Sequence, residues 1–176
     1  MKELRNGNLI MGNRILKFGK DDIYSFVGNP GRVGCVFTNG CFDIVHRGHI
    51  ELFKFCRAQR VYSPVIVGVN SDKSIRKLKG GNRPIMPEED RVALISAIKW
   101  IDFVIIFDTK SVLPLIEELK PAILVKGGSY NIKPCAVADQ IVGQKFVEDY
   151  GGKVLTAPMV EGVSSTNIIE RIKNDL

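Results

Sequence analysis

Both histidines of the 176-residue chain, His46 and His49, fall within four consecutive positions of the stretch VFTNGCFDIVHRGHIELF. Residues three apart share one face of a helix, so the two imidazoles can point the same way. Each can donate from a ring nitrogen and can carry a proton near neutral pH. Gly48 lets a ligand approach the backbone, and the free N–H groups of a helix start favour an anion. Such a pair suits a phosphate that is gaining negative charge, as in phosphoryl or nucleotidyl transfer, where the protein supplies position and electrostatic stabilisation. Two other readings stand beside it. The histidines can be structural, or Cys41, His46 and His49 can form part of a metal site, although no fourth ligand stands at zinc-like spacing. The chain has no Gly-x-Gly-x-x-Gly fingerprint, no Walker A loop and no His-Glu-x-x-His, which disfavours redox and P-loop chemistry.

The elements that must position this tetrapeptide alternate along the chain. The strand-like runs VGCVFTNG, PVIVGVNSD, DFVIIFD, PAILVKGG and KVLTAP are interleaved with the helical spacing of GHIELFKFCRAQ, PEEDRVALISAIKW, SVLPLIEELK, VADQIVGQKFVEDYGG and SSTNIIERIKND. Strands apolar on both faces predict an α/β fold, an open doubly wound parallel sheet covered by helices on both sides. In such a sheet the ligand lies at the C-terminal strand ends, where TNGCFD leaves the first strand. Pro87 before Glu88, Glu89 and Asp90 predicts a helix start, and Ser164 or Ser165 an N-cap. Residues 1–32 are less patterned and read as an N-terminal extension, with a short helix over 21–27, of a single domain spanning 1–176.

Composition narrows the partners. With 45% apolar residues the chain can bury a core, and a formal charge of +6 with a pI near 9.2 tolerates an anionic partner. The basic residues are spread without interleaved aromatics, so small anions are expected and nucleic acid is not. Four cysteines without Cys-x-x-Cys spacing read as thiols of a reducing compartment. No apolar run reaches the ~18 residues of a membrane span, and the N-terminal charges do not fit a signal peptide, so the expectation is a cytoplasmic protein with no membrane partner.

TNGCFDIVHRGH resembles the His-x-Gly-His signature of the nucleotidyltransferase superfamily that includes cytidylyltransferases, and VEGVSSTNII is similar to its second signature. Together with VGVNSDKSIRKLKGGNRPIMPEEDRVALISAIKWIDFVIIFD, LVKGGSY and GGKVL, the chain from about Val33 onward resembles the adenylyltransferase domain of ADP-heptose synthase. The resemblance implies a Rossmann-like nucleotidyltransferase fold and attack of a heptose 1-phosphate oxygen on the α-phosphate of ATP. ADP-heptose and pyrophosphate leave, and Mg²⁺ enters with ATP, held mainly through the triphosphate. It further implies that His46 and His49 hold phosphates in the transition state. Thr38, Asn39, Gly40, Phe42 and Gly48 would lie along the nucleotide, with Asp43 bracing the loop or near the metal. The resemblance gives Arg91, Ser165 and Thr166 to the nucleotide, Lys126 and Lys79 to catalytic phosphate contacts, and Asn70, Asp72, Arg83, Gly127 and Ser129 to the acceptor. The basic run SDKSIRKLKGGNRP can be a solvated loop, or a flap carrying Arg76, Lys79 and Arg83 over the phosphates; Arg91 can equally be a surface ion pair with Glu88. Relatives commonly pair as dimers, which makes a homodimer compatible with the resemblance.

Departures from the family pattern bear on the acceptor. KGGSY stands where heptose enzymes carry KGGDY, placing Ser129 where an acid is expected. Gly128 and Met159 replace the acid and arginine of glycerol-3-phosphate cytidylyltransferases, which argues against cytidine. The segment NIKPCAVADQIVGQ is longer than in relatives, and a separate kinase would have to supply the sugar phosphate. The alternatives are a cytidylyltransferase acting on glycerol 3-phosphate or another small phosphate, and a catalytically silent nucleotide-binding module.

Overall fold

The computed structural model describes residues 15–20, 34–60, 62–128 and 141–174. Among them, six strands form one parallel sheet: β1 (Ile15–Lys17), β2 (Val36–Gly40), β3 (Val65–Asn70), β4 (Phe103–Phe107), β5 (Ile123–Gly127) and β6 (Lys153–Ala157), in the order β1-β4-β3-β2-β5-β6. The connecting helices are α1 (Arg47–Gln59), α2 (Asp72–Lys79), α3 (Glu88–Ser96), α4 (Leu113–Leu119) and α5 (Gln144–Asp149), with α6 (Ser165–Asn174) after the last strand. Apolar side chains fill both faces. Phe53 and Cys56 of α1 and Ile95 of α3 pack with Val36, Val67 and Val125 on one, while Leu115 and Ile116 of α4 and Val147 of α5 pack with Phe37, Ile66 and Leu124 on the other. The doubly wound α/β expectation is met, and the strand order reverses direction between β2 and β5, the place where such sheets bind ligands.

β3 shows why the central strands read as unbroken apolar runs: all six of its residues, VIVGVN, are buried. Its glycine is needed for space. A Cβ on Gly68 would stand 2.9 Å from Phe37 Cζ and 3.2 Å from Asn39 Cβ. Gly68→Ala is therefore expected to destabilise the fold by about 1–3 kcal/mol through overpacking, read as a lower urea midpoint at unchanged slope.

Three elements differ from the sequence reading. β1 adds an edge strand from the weakly patterned N-terminal stretch, with Leu16 almost fully buried; three residues are too few to show a period. The basic run 72–79 is a helix where a loop or flap is expected. Ser71 caps it by accepting the Ser74 N–H, Gly80 ends it, and Ser74 and Ile75 are its only buried residues, so basic side chains mask its amphipathic pattern. Pro87 is the N-cap residue of α3, one position ahead of the first turn where a proline is usual. The expected helix over 21–27 and most of the segment 131–144 lie outside the described residues.

Candidate active site

The C-terminal ends of β2, β5 and β6 and the first turn of α1 enclose a cleft of about 320 Å³. His46 and His49 face it with Asn39, Gly40, Phe42, Gly48, Gly127 and Gly128; a wall of Ala157, Pro158, Met159, Val160 and Val163 closes the far side. His46 is the N-cap residue of α1, and its backbone N–H donates to His49 Nδ1 at 3.3 Å. That bond assigns the remaining proton of a neutral His49 to Nε2, leaving one N–H donor. The rings stack with centroids 3.8 Å apart. Gly48 makes the stack possible, because a Cβ there would stand 3.0 Å from His46 Cε1. His46 Nδ1 is buried and has no partner among the described residues, a polar atom that a ligand can satisfy.

Burial disfavours the charged form of both imidazoles. Burial pulls His49 down to about 4, aided by the neighbouring His46 and by the positive charge of Lys79, and burial also lowers His46. Burial thus works against the proton that each ring could otherwise carry near neutrality, and favours the pair as neutral donors. Linkage gives a test. The unfolded chain binds the His49 proton from about pH 6.5, the folded one only near 4, so stability is expected to fall as pH drops across that window. His49→Gln should flatten that part of a Tm-against-pH curve.

Lys126 is buried without a carboxylate partner among the described residues, and desolvation lowers it to about 8. It shares a sheet face with Leu124, the face covered by α4 and α5, so it points away from the histidine helix and does not line the cleft. Its ammonium instead makes a short hydrogen bond to Asn39 Oδ1 across the β2–β5 boundary. That bond occupies the amide oxygen and leaves the NH₂ group as the remaining donor of Asn39, a residue at the edge of the cleft.

Several expected contact residues lie inside the protein, most of them engaged there. Thr38 is fully buried. Arg91 is fully buried and is no surface partner of Glu88. It donates from Nε to Met86 O at 3.0 Å, from Nη1 to Cys41 O at 2.6 Å and Asn70 O at 2.9 Å, and from Nη2 to Asp72 Oδ1 at 2.7 Å. Glu88 instead accepts the Asp72 N–H. Asn70 is buried against Ser74 Oγ, and neither Asn70, Asp72 nor Arg83 lines the cleft. Asp43 braces its loop: Oδ1 accepts the N–H groups of Ile85 and Met86, and Oδ2 lies 2.8 Å from Arg83 Nε in an ion pair too bent for a hydrogen bond. At the start of α6, Ser164 Oγ caps by accepting the Asn167 N–H and lines the cleft, whereas Ser165 Oγ donates to Ile44 O and Thr166 is exposed. Ser129 lies outside the described residues. Lys79 ends α2 in solvent, near enough for His49 to feel its charge.

The residues missed by sequence reasoning are mostly apolar. Leu52, Ala157, Pro158, Val160 and Val163 join Met159 in a surface for a flat or hydrophobic group, signalled in the sequence only by APMV following a strand. Cys41, weighed only as a metal ligand, is a cleft wall. Among the described residues no three His, Cys, Asp or Glu side chains gather to hold a metal ion, and Asp43, the nearest acid of the loop, is already occupied. The donor set here is neutral and basic, which fits phosphate oxygens.

A phosphate-compatible pair of histidines at the switch point of a doubly wound sheet defines the nucleotidyl-transferring class of α/β proteins. Comparison with known proteins agrees: the cytidylyltransferase-like family model matches residues 37–171. The chain belongs to that family. The bifunctional protein HldE of Alcanivorax borkumensis is 46% identical over 138 residues, covering 78% of this chain and 27% of that protein. HldE of Geobacter sulfurreducens is 47% identical over 137 residues, covering 78% and 26%. The chain thus spans about a quarter of the length of these relatives. Among solved structures, a lipopolysaccharide core biosynthesis protein from Thermoplasma volcanium superposes with a TM-score of 0.55 at 27% identity, over 72% of this chain and 97% of that one. No helix of the described residues is long and apolar enough to cross a membrane.

Proposed function

We propose that this protein transfers AMP from ATP to a sugar 1-phosphate, with D-glycero-D-manno-heptose 1-phosphate the acceptor, releasing pyrophosphate. The observation that carries the reading is the stacked His46–His49 pair, two imidazoles at a helix start facing the cleft, with Asn39 at its edge tied to a buried lysine. Identity to HldE over most of the chain and the likeness to a lipopolysaccharide core protein support a sugar acceptor.

In this reading the cleft holds the triphosphate along the first turn of α1, with Gly40 and Gly48 admitting it to the backbone. The apolar wall from Ala157 to Val163 shields the nucleoside from water. Mg²⁺ arrives as part of the ATP substrate and neutralises triphosphate oxygens. His46 and His49 donate to oxygens of the α-phosphate as charge accumulates there, and the proximity of that charge raises the affinity of both rings for a proton. Lys79, exposed at the end of α2, supplies a positive charge to the outgoing pyrophosphate. Asn39 and Lys126 place a donor and a nearby charge at the β2–β5 boundary, where the attacking phosphate meets the α-phosphate.

Pyrophosphate release measured with ATP and Mg²⁺, with and without each anomer of the heptose 1-phosphate, tests the proposal. Release that requires one anomer is the expected result. Release with CTP and glycerol 3-phosphate instead would transfer the assignment to the cytidylyltransferase alternative. Nucleotide binding with no release for any acceptor would leave a silent binding module.

A further inference from the structure

The loop between β2 and α1 holds a residue in a conformation it would not choose. Phe42 has φ of 48°, in the left-handed region, where a bulky side chain costs of order 1–3 kcal/mol. Its ring is nonetheless 4% exposed, lies against Gly40, where a Cβ would stand 3.1 Å from Phe42 Cζ, and meets His49 edge-on with centroids 5.2 Å apart. Both flanking residues are pinned. Cys41 O accepts from Arg91 Nη1, and Asp43 Oδ1 accepts from Ile85 and Met86. Met86 closes the frame, since its N–H goes to Asp43 and its carbonyl to Arg91.

We propose that Arg91 and Asp43 are positioning residues for His49 that act through Phe42, clamping the loop so that the aromatic ring seals one edge of the imidazole from water. Neither touches the cleft, yet both decide what its base looks like. The groups that face His49 are His46 on its own helix, Lys79 from the end of α2, and Phe42 from the loop, with Phe53 behind that ring. Burial, the neighbouring imidazole and the charge of Lys79 act in one direction: they disfavour a proton on the ring, with Nδ1 occupied by the His46 N–H and Nε2–H free to donate. Only the value of this for catalysis rests on the function proposed above; the clamp itself is testable without turnover.

With two histidines in the chain, proton NMR gives two imidazole titrations, assigned by His46→Gln. In the wild-type protein His49 should titrate near 4. Arg91→Lys, which keeps the charge and loses the fork, and Asp43→Ala should each raise that midpoint by about one unit or more as Phe42 swings away and water reaches the ring. The Asp43→Ala direction is diagnostic, because loss of a nearby carboxylate would by charge alone lower a histidine's midpoint. Asp43→Asn keeps the acceptor oxygen and should stay near wild type. Phe42→Ala should raise the midpoint as far as either, and Arg91→Lys combined with Phe42→Ala should add nothing further. Folded Arg91→Lys and Asp43→Ala proteins with a wild-type His49 midpoint would overturn the proposal, as would additive shifts in the double variant. If Arg91→Lys does not fold, Asp43→Ala, which loses only loop contacts, carries the same test.

Discussion

His46→Ala is expected to lower kcat for pyrophosphate release by about 10²–10³-fold, with a smaller change in the KM for ATP. The ring supplies a donor in the transition state, but its removal leaves the backbone that orients the second histidine intact. His49 Nδ1 accepts from the His46 main-chain N–H, and alanine keeps that group. His49→Ala is different. It removes a donor and also leaves the His46 N–H without its acceptor at the helix start, so an equal or larger loss of kcat should come with about 1 kcal/mol of lost stability. The double variant should lose little beyond the worse single one, since both donors serve the same developing charge. Equal losses of stability in the two variants, or a loss confined to KM, would contradict the arrangement described here.

Lys126→Met is expected to make the protein more stable and much less active. Holding an ammonium at this position lowers its pKa from 10.5 to about 8, a penalty of about 3 kcal/mol throughout the range where it is charged in both states. Methionine fills a similar volume without that penalty, although Asn39 Oδ1 loses its donor, so a net gain of about 1–2 kcal/mol should remain at pH 7. The pH dependence carries the sign. Between about pH 8 and 10.5 the unfolded wild-type chain binds the lysine proton and the folded one does not, so wild-type stability should rise with pH there. The variant should lack that rise. Activity should drop by about 10²-fold or more, because the Asn39 amide loses the partner that fixes its orientation and the positive charge at the β2–β5 boundary is gone. Denaturant unfolding at two pH values and kcat/KM on the same preparations measure both effects. A buried lysine with no carboxylate partner among the described residues, costly to stability, is expected where function has selected it.

How much of this was legible in the sequence follows from which interactions are local. The alternation of apolar runs and helical spacing reads directly because each central strand is buried on both faces, as in VIVGVN of β3. The histidine pair reads because three-residue spacing on a helix is a local rule. What did not read depends on partners far along the chain. Arg91 looks like a surface or substrate arginine until Cys41, Asn70 and Asp72 are brought around it. Lys126 ends an apolar strand, which signals function, but its side of the sheet follows only from counting register against Leu124 and Asn39. The helix α2 was hidden by its own lysines, and β1 by its brevity. In the second signature a cap, a tie to Ile44 and a cleft-facing group differ only in three-dimensional direction, which the spacing of Ser164, Ser165 and Thr166 does not carry.

The most direct measurement of the central claim is transfer of label from [α-³²P]ATP to the acceptor in a single turnover with enzyme in excess, using the heptose 1-phosphate and Mg²⁺, for the wild-type protein and His46→Ala. The account predicts label in a nucleotide sugar, formed in step with unlabelled pyrophosphate and slowed by about 10²–10³-fold in the variant. Label remaining in ATP, or appearing in the product equally fast without His46, would contradict it.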